Sequence, residues 1–317
     1  MIWMTWRQHR AQALYLLVAL AVLAAVLVPL GVNMFRALTD LGLTSCHGTL
    51  SVDDPCEVGR NTFAERFALP QQLSTLLMLV PLLVGLFAGA PLVARELEQG
   101  THRLVWMQGV TRRRWLLIKI GLVLAGAAVF AAALSALVYW WWTPYERVGT
   151  SRFEELEFDL QGLVPVGYTI FAVALGVAAG TLVPKVLPAM AVTVAGFIGA
   201  RVAVMVARPH FQPAEEARFP LFAESHPGRF VDMWQLSTRV YSSDGQDLGA
   251  GFIMCPPAAA DAELDRGCAG YQPGDYNLTR FHPASDYWTF QLIETGIFLA
   301  AAALLIVVAF RRLRRVT

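Results

Sequence analysis

The sequence predicts an all-α membrane protein: six transmembrane helices, with a small disulfide-stabilised extracytoplasmic α+β insertion before the last helix. Three observations lead there. Of 317 residues, 56% are hydrophobic and 15% charged, with a mean hydropathy of +0.49; soluble domains hold about half apolar and a quarter charged residues. The apolar surplus gathers in six long runs, and a helix rising about 1.5 Å per residue needs roughly 20 of them to cross a 30 Å hydrocarbon layer. The basic residues then fall unevenly between the connecting segments. Together these exclude a water-soluble enzyme. A formal net charge of +1 gives no ground for a nucleic-acid partner.

Taken in order, the runs are residues 11–32, 72–94, 120–143, 160–183, 186–207 and 287–310. The first is an uncharged, mostly apolar run of 22 residues, beyond the roughly 7–15 of a signal-peptide core, so it reads as a helix that stays. Before it, Ile2, Trp3 and Trp6 alternate with Arg7, His9 and Arg10. That pattern fits a short helix in the headgroup layer, and equally a basic flank that only sets orientation. Segments 1–10, 95–119, 184–185 and 311–317 carry 13 of the 25 Lys and Arg in 44 residues, whereas 33–71, 144–159 and 208–286 carry 11 in 134. Short basic loops stay inside, so both termini are expected in the cytoplasm of a multi-pass plasma-membrane protein.

Cysteine placement agrees. Cys46, Cys56, Cys255 and Cys268 all fall in the segments assigned outside, where disulfides persist. Four cysteines allow three pairings, and proximity favours Cys46 with Cys56 and Cys255 with Cys268. A zinc site is the rival, though no tight Cys-x-x-Cys or paired His spacing accompanies them. The chain then divides into 1–207 (spans one to five with a cytoplasmic loop at 95–114), the insertion 208–286, and 287–317 (the last span and a basic tail). Within the insertion, 238–254 reads as a hairpin turning at Asp244 and Gly245. Phe153, Leu156 and Leu160 around Glu154, Glu155 and Glu157 read as a short interfacial helix ahead of the fourth span.

Inside the spans, Gly85 with Gly89 and Gly176 with Gly180 have the four-residue spacing that lets helices approach closely in lipid. Pro81, Pro91, Pro165 and Pro188 are expected to kink or break helices. Only Arg201 and Glu294 place an ionisable Asp, Glu, Lys or Arg well inside a span. Both lie roughly 9–11 Å below the outer boundary, at 1.5 Å per residue. Their expected resolution is an intramembrane ion pair, which serves packing or a substrate gate.

Catalytic groups are missing from this pattern. There is no His-Glu-x-x-His, no Gly-x-Ser-x-Gly and no phosphate-binding Gly-x-x-x-x-Gly-Lys-Ser/Thr, and the six histidines are scattered singly. The expectation is a non-enzymatic chain with no metal and no cofactor of its own. The informative stretch is instead 95–114, between spans two and three. A helix over 95–108 is stopped by Gly109. Thr111 can then cap the helix that enters the third span. Arg112, Arg113 and Arg114 would occupy its first turn, where the helix dipole disfavours cations. Lipid phosphate or acidic groups on a docked protein would each compensate them.

Six spans, a basic amphipathic start and a first cytoplasmic loop of the form Arg-Glu-x-x-x-Gly-Thr, followed by x-Val-Thr-Arg, resemble the type 2 permease family of ABC transporters. The resemblance is notably to the actinobacterial members that open Trp-Arg-Gln-His-Arg, here Trp6 to Arg10. The matching positions are Arg95, Glu96, Gly100, Thr101, Val110, Thr111 and Arg112. The family often has proline where this chain has Gly109, and the insertion exceeds the short hairpin found there. The resemblance implies a half-transporter: a second permease copy, as a homodimer, and two cytoplasmic ATPase subunits that bind ATP and Mg. Residues 95–114 would be the coupling helix, with Arg95 and Glu96 at its hinge, Gly100, Thr101, His102 and Arg103 in the docking turn, and Arg112, Arg113 and Arg114 at the rim. The expected function is ATP-driven export of an amphipathic, drug-like or lipid-like compound. The alternative is a non-transporting membrane protein whose outer unit is a sensor or binding surface.

Overall fold

A computed structural model describes residues 2–46, 50–51, 56–99, 112–149, 151–223, 225–226, 233–255, 268 and 270–315. Among the described residues, six helical segments are long and apolar enough to cross a membrane: Arg10–Asp40, Gln72–Glu98, Leu117–Arg147, Val164–Leu182, Val186–His210 and Ala284–Leu313. The first is the distal part of one 39-residue helix, Ile2–Asp40, so the basic, Trp-bearing N-terminal residues continue the span's own helix. In lipid every backbone N–H and C=O needs an internal partner, and continuous helices supply it.

The fourth span is the hub. Its central window is 83% buried, against 6% for the first, and spans two, three, five and six all pack on it. Small residues make this possible. A Cβ on Gly176 would lie 2.5 Å from the Ala90 nitrogen and 2.7 Å from the Gly85 oxygen, and one on Gly180 would lie 2.8 Å from the Ala90 oxygen. Reciprocally, a Cβ on Gly85 would meet the Ala172 backbone at 2.7 Å, and one on Gly89 the Val173 oxygen at 2.6 Å. The two glycine pairs seen in the sequence therefore face each other, backbone against backbone. At this contact the second span widens to a π-helical turn over Gly85–Gly89.

Prolines divide by position. Pro81 and Pro91 open the segments Val80–Val84 and Ala90–Glu98 of a broken second span. Pro165 and Pro188 lie in the first turns of Val164–Leu182 and Val186–Ala207, where no N–H is needed, so they start helices instead of kinking them. The fourth span begins at Val164 and not at Leu160. Leu160 ends a separate short helix, Glu155–Leu160, and the chain turns through Gly162 at φ 72°. That turn is held from outside: Gly162 accepts from Ser135 Oγ at 2.9 Å, and Gln291 Oε1 accepts the Leu163 and Val164 N–H groups at 2.9 and 3.0 Å. Gln291 thus caps the fourth helix from the sixth.

The insertion is built on a four-stranded antiparallel sheet, order β1 (Glu215–Pro220), β4 (Tyr276–His282), β2 (Trp234–Tyr241), β3 (Asp247–Ala250). The expected hairpin forms between β2 and β3, with Gly245 at φ 84° in its turn. Among the described residues the insertion holds strands and two 3-10 turns, Arg208–His210 and Ala284–Asp286; the helical part of the expected α+β unit is not found there. Both disulfides join near neighbours, Cys46 with Cys56 and Cys255 with Cys268, at Cα separations of 6.1 and 5.9 Å. The four sulfurs are therefore not thiolates available to zinc. A two-residue ladder, Leu50–Ser51 against Ser225–His226, ties the first loop to the insertion.

Replacing Gly176 by valine forces a side chain into backbone and should destabilise the bundle by about 1–3 kcal/mol, as overpacking does elsewhere. Gly199, where an added Cβ meets nothing within 4 Å, is the control. Thermal unfolding of the purified variants in detergent checks this, and equal melting temperatures for Gly176→Val and Gly199→Val would contradict the contact.

Candidate functional site: a buried charge network and a braced basic end

The residues predicted to pair, Arg201 and Glu294, are brought to one place but exchange partners. Arg201 Nη2 donates to Asp159 Oδ2. Glu294 is taken by Arg208, whose Nε reaches Oε2 at 2.8 Å and whose Nη2 reaches Oε1 at 3.0 Å. The same Nη2 lies 2.5 Å from Asp159 Oδ1. Tyr168 completes the set, its hydroxyl placed between Asp159 Oδ1 at 2.9 Å and Glu294 Oε1, with Arg208 Nη2 at 3.3 Å. Two guanidiniums and two carboxylates cancel, and the planar faces are covered as well: Arg201 lies 4.2 Å over the Tyr168 ring and Arg208 4.4 Å over Phe158.

The five members arrive from four elements: Asp159 from the short helix, Tyr168 from the fourth span, Arg201 and Arg208 from the fifth span and its terminal turn, Glu294 from the sixth. Arg201 and Arg208 are seven residues apart, two helical turns, and so share a face. Asp159, Arg208 and Glu294 are 4%, 3% and 1% exposed. Sequence reading missed Asp159 and Arg208 because both sit at span ends, where a charge excites no notice, and Tyr168 because its ring suits an apolar helix. The seven-residue arginine spacing was the available signal. A cavity of about 20 Å³ beside Asp159, Arg201, Ser135 and Thr169 is just large enough for one water. With its charges matched and its donors engaged, the network is chemically a lock and not a base or nucleophile.

At the opposite end, where the first and third helices begin, the two acids of the basic segment are both engaged. Glu96 Oε1 pairs with Lys119 Nζ at 2.5 Å, joining the end of the second span to the start of the third. Glu98 Oε2 accepts the Val186 N–H at 3.1 Å and so caps the fifth span. Arg95 lies exposed on the last turn of the second span. Gly100, Thr101, His102, Arg103, Val110 and Thr111 lie outside the described residues. Arg112, Arg113 and Arg114 open the third helix, Arg112–Arg147.

The family described as ABC-2 membrane transporter related matches residues 17–208, which hold the braced corner and every member of the charge network except Glu294. This chain belongs to that family. It is a multi-pass membrane subunit of a transporter. No curated protein and no solved structure gives a match. For an ABC-2-related subunit, the match ends at the arginine that closes the charge network and leaves out the sheet and the sixth span.

One further acid stands near the network. Glu157 is 2% exposed on the short helix; burial, then the neighbouring Glu154 and Glu146 carboxylates, push its carboxyl up to about 7. Burial also raises Glu154. The expected short helix forms over Glu155–Leu160, with its Glu157 and Asp159 buried.

Two outcomes are expected. Arg208→Met strands Glu294, leaves Asp159 to Arg201 alone and should cost about 3–5 kcal/mol, whereas Arg208→Met with Glu294→Leu should recover part of it; melting temperatures of the single and double variants decide. For Glu157, the folded carboxyl titrates above its unfolded value, so its protonated form favours the fold. Stability is full below about pH 4.5 and declines as pH rises through about 7. Glu157→Gln should flatten that part of the melting-temperature profile.

Proposed function

We propose that this subunit is the permease of an ABC exporter, receiving work from a separate ATPase through residues 95–114. Family membership supports the pairing, since such permeases generally operate with an ATPase subunit. ATP and Mg would be bound by that partner, in two copies, with two permeases assembled as a homodimer in the plasma membrane and both termini cytoplasmic. The cargo class is an amphipathic, drug-like or lipid-like compound.

The observation that carries this reading is how the two ends of the bundle are joined. The coupling segment leaves from a corner braced by Glu96–Lys119 and Glu98–Val186, so a push there moves the ends of spans two, three and five together. Span two meets span four through glycine backbone with no side chain to yield between them. Span four carries Tyr168 into the charge network that holds spans five and six. A displacement at the loop is thereby delivered to an ion-paired lock at the other end, which an outward-opening cycle would break and remake. A second reading, an outer sensor or binding surface, is favoured by one observation: the four-stranded sheet lies beyond the residues the family shares.

Co-purification decides between them. The full chain expressed with an ATPase encoded beside it should retain that ATPase, and reconstituted vesicles should hydrolyse ATP. Glu96→Gln, which removes the charge that holds Lys119, should lower the hydrolysis coupled to the permease while the fold persists. A chain that retains no ATPase would sink the exporter reading and leave the sensor.

A further inference from the structure

The short helix Glu155–Leu160 has two faces that meet different surroundings. Residues two apart on a helix point about 200° apart, so Glu157 lies opposite Asp159, which enters the charge network. On the Glu157 side the helix packs on the segment Ala68–Leu77 and on the third span. Leu160, one turn beyond Glu157, joins the apolar cluster built on Trp141, Trp142 and Tyr145 there. Gln161 lies over the same face, four residues on, its N–H bonded to the Glu157 carbonyl at 3.1 Å. Among the described residues, Glu157 Oε2 and both amide atoms of Gln161 are buried without a hydrogen-bond partner.

An ionised carboxylate is costly in such a place unless a cation or donors meet it. The charged groups that do face Glu157 are acids: Glu154 ahead of the short helix and Glu146 at the end of the third span, which add to burial in pushing its carboxyl up to about 7. Tyr145 of the third span gives its hydroxyl to the Phe67 carbonyl, and Ala68–Leu77 carries no ionisable residue. Tyr168 of the fourth span is turned to Asp159. Arg201 and Arg208 are held by Asp159 and Glu294 on the far side, while Arg147 and Arg152 lie over the Phe35 and Tyr287 rings. A charge at Glu157 therefore drives the short helix away from the third span, and Asp159 rides on the same six residues. We propose that a proton on Glu157 is a ligand of the closed charge network: the short helix keeps Asp159 with its arginines while that carboxyl is uncharged, and losing the proton frees the network to open. The proton is taken from solvent as the helix closes on the third span and returned as it leaves, so acid holds the network shut and alkali loosens it. This coupling goes beyond the exporter reading and does not depend on it, because it is measured on this chain alone without an ATPase.

Hydrogen–deuterium exchange of the full detergent-purified chain at pH 6 and pH 8, corrected for the intrinsic pH dependence of exchange, tests it. A carboxyl that titrates at about 7 in the closed helix and at its ordinary value in the open one makes opening about tenfold more frequent at the higher pH. The amides of the short helix and those of residues 205–211, around Arg208, should lose protection together by that factor. Glu157→Gln, a neutral group of the same shape, should keep both segments protected at both pH values. Glu154→Gln, at an exposed position, removes one of the facing acids without disturbing the packing and should reduce the ratio. Equal protection of the wild type at the two pH values, or an undiminished loss in both variants, overturns the proton site. A loss confined to the short helix, with residues 205–211 unaffected, overturns its link to the network. Protection restored at pH 8 by replacing choline with sodium would assign the neutralising ligand to a metal cation and overturn the proton.

Discussion

Four charges inside an apolar bundle are tolerable only as a set. Each of Asp159, Arg201, Arg208 and Glu294 would be costly alone at that depth, and much of the surrounding architecture exists to bring them within reach of one another. The short helix Glu155–Leu160 must fold back to deliver Asp159, and the chain must then turn sharply at Gly162, where the left-handed backbone is open to glycine. Gln291 holds that turn from one side and Ser135 from the other. The fifth helix must run to Arg208 before it breaks, and the sixth must enter in the register that points Glu294 inward. A shift of one residue in any of these elements would leave a charge unmatched, so the network acts as a register device for four elements at once.

The second source of cohesion is geometric. Lipid tails are as apolar as leucine, so helices in a membrane gain little by burying side chains against one another. Contact is won by approach, and Gly85, Gly89, Gly176 and Gly180 allow spans two and four to meet at the backbone. The same closeness makes the pair stiff, since a backbone cannot change rotamer to absorb movement. The pair thus forms a stiff strut between the corner braced by Glu96 and Lys119 and the ion-paired network around Arg208. The first span stands outside this scheme. It grips the third span by its aromatic half only, and where the third span becomes Ala- and Gly-rich a gap opens instead of a contact.

Much of this was legible in advance. Six spans, their approximate limits, both disulfides, the hairpin and both glycine pairs follow from patterns that are local or periodic, and such patterns are read along the chain. What escaped was of another kind. Arg201 and Glu294 were recognised as needing partners, yet each took one that lies at a span end, because hydropathy ranks residues by depth and is blind to which element folds back beside them. Pro165 and Pro188 were read as kinks since their distance from a helix start could not be fixed to within a turn. The partners of Glu96 and Glu98 lie at the starts of the third and fifth spans, which no local pattern in the segment connects to them.

Residue chemistry by itself determined the solvent this protein lives in, the number of times it crosses, and the positions where helices can touch, because each depends on a run or a period of side chains. Only the tertiary structure decided which charge neutralises which, that the fourth span is the common core, and where the first and third spans fail to close. Those outcomes depend on distances between residues 40 to 130 positions apart, and in a medium of low dielectric an ångström or two separates a satisfied charge from a stranded one.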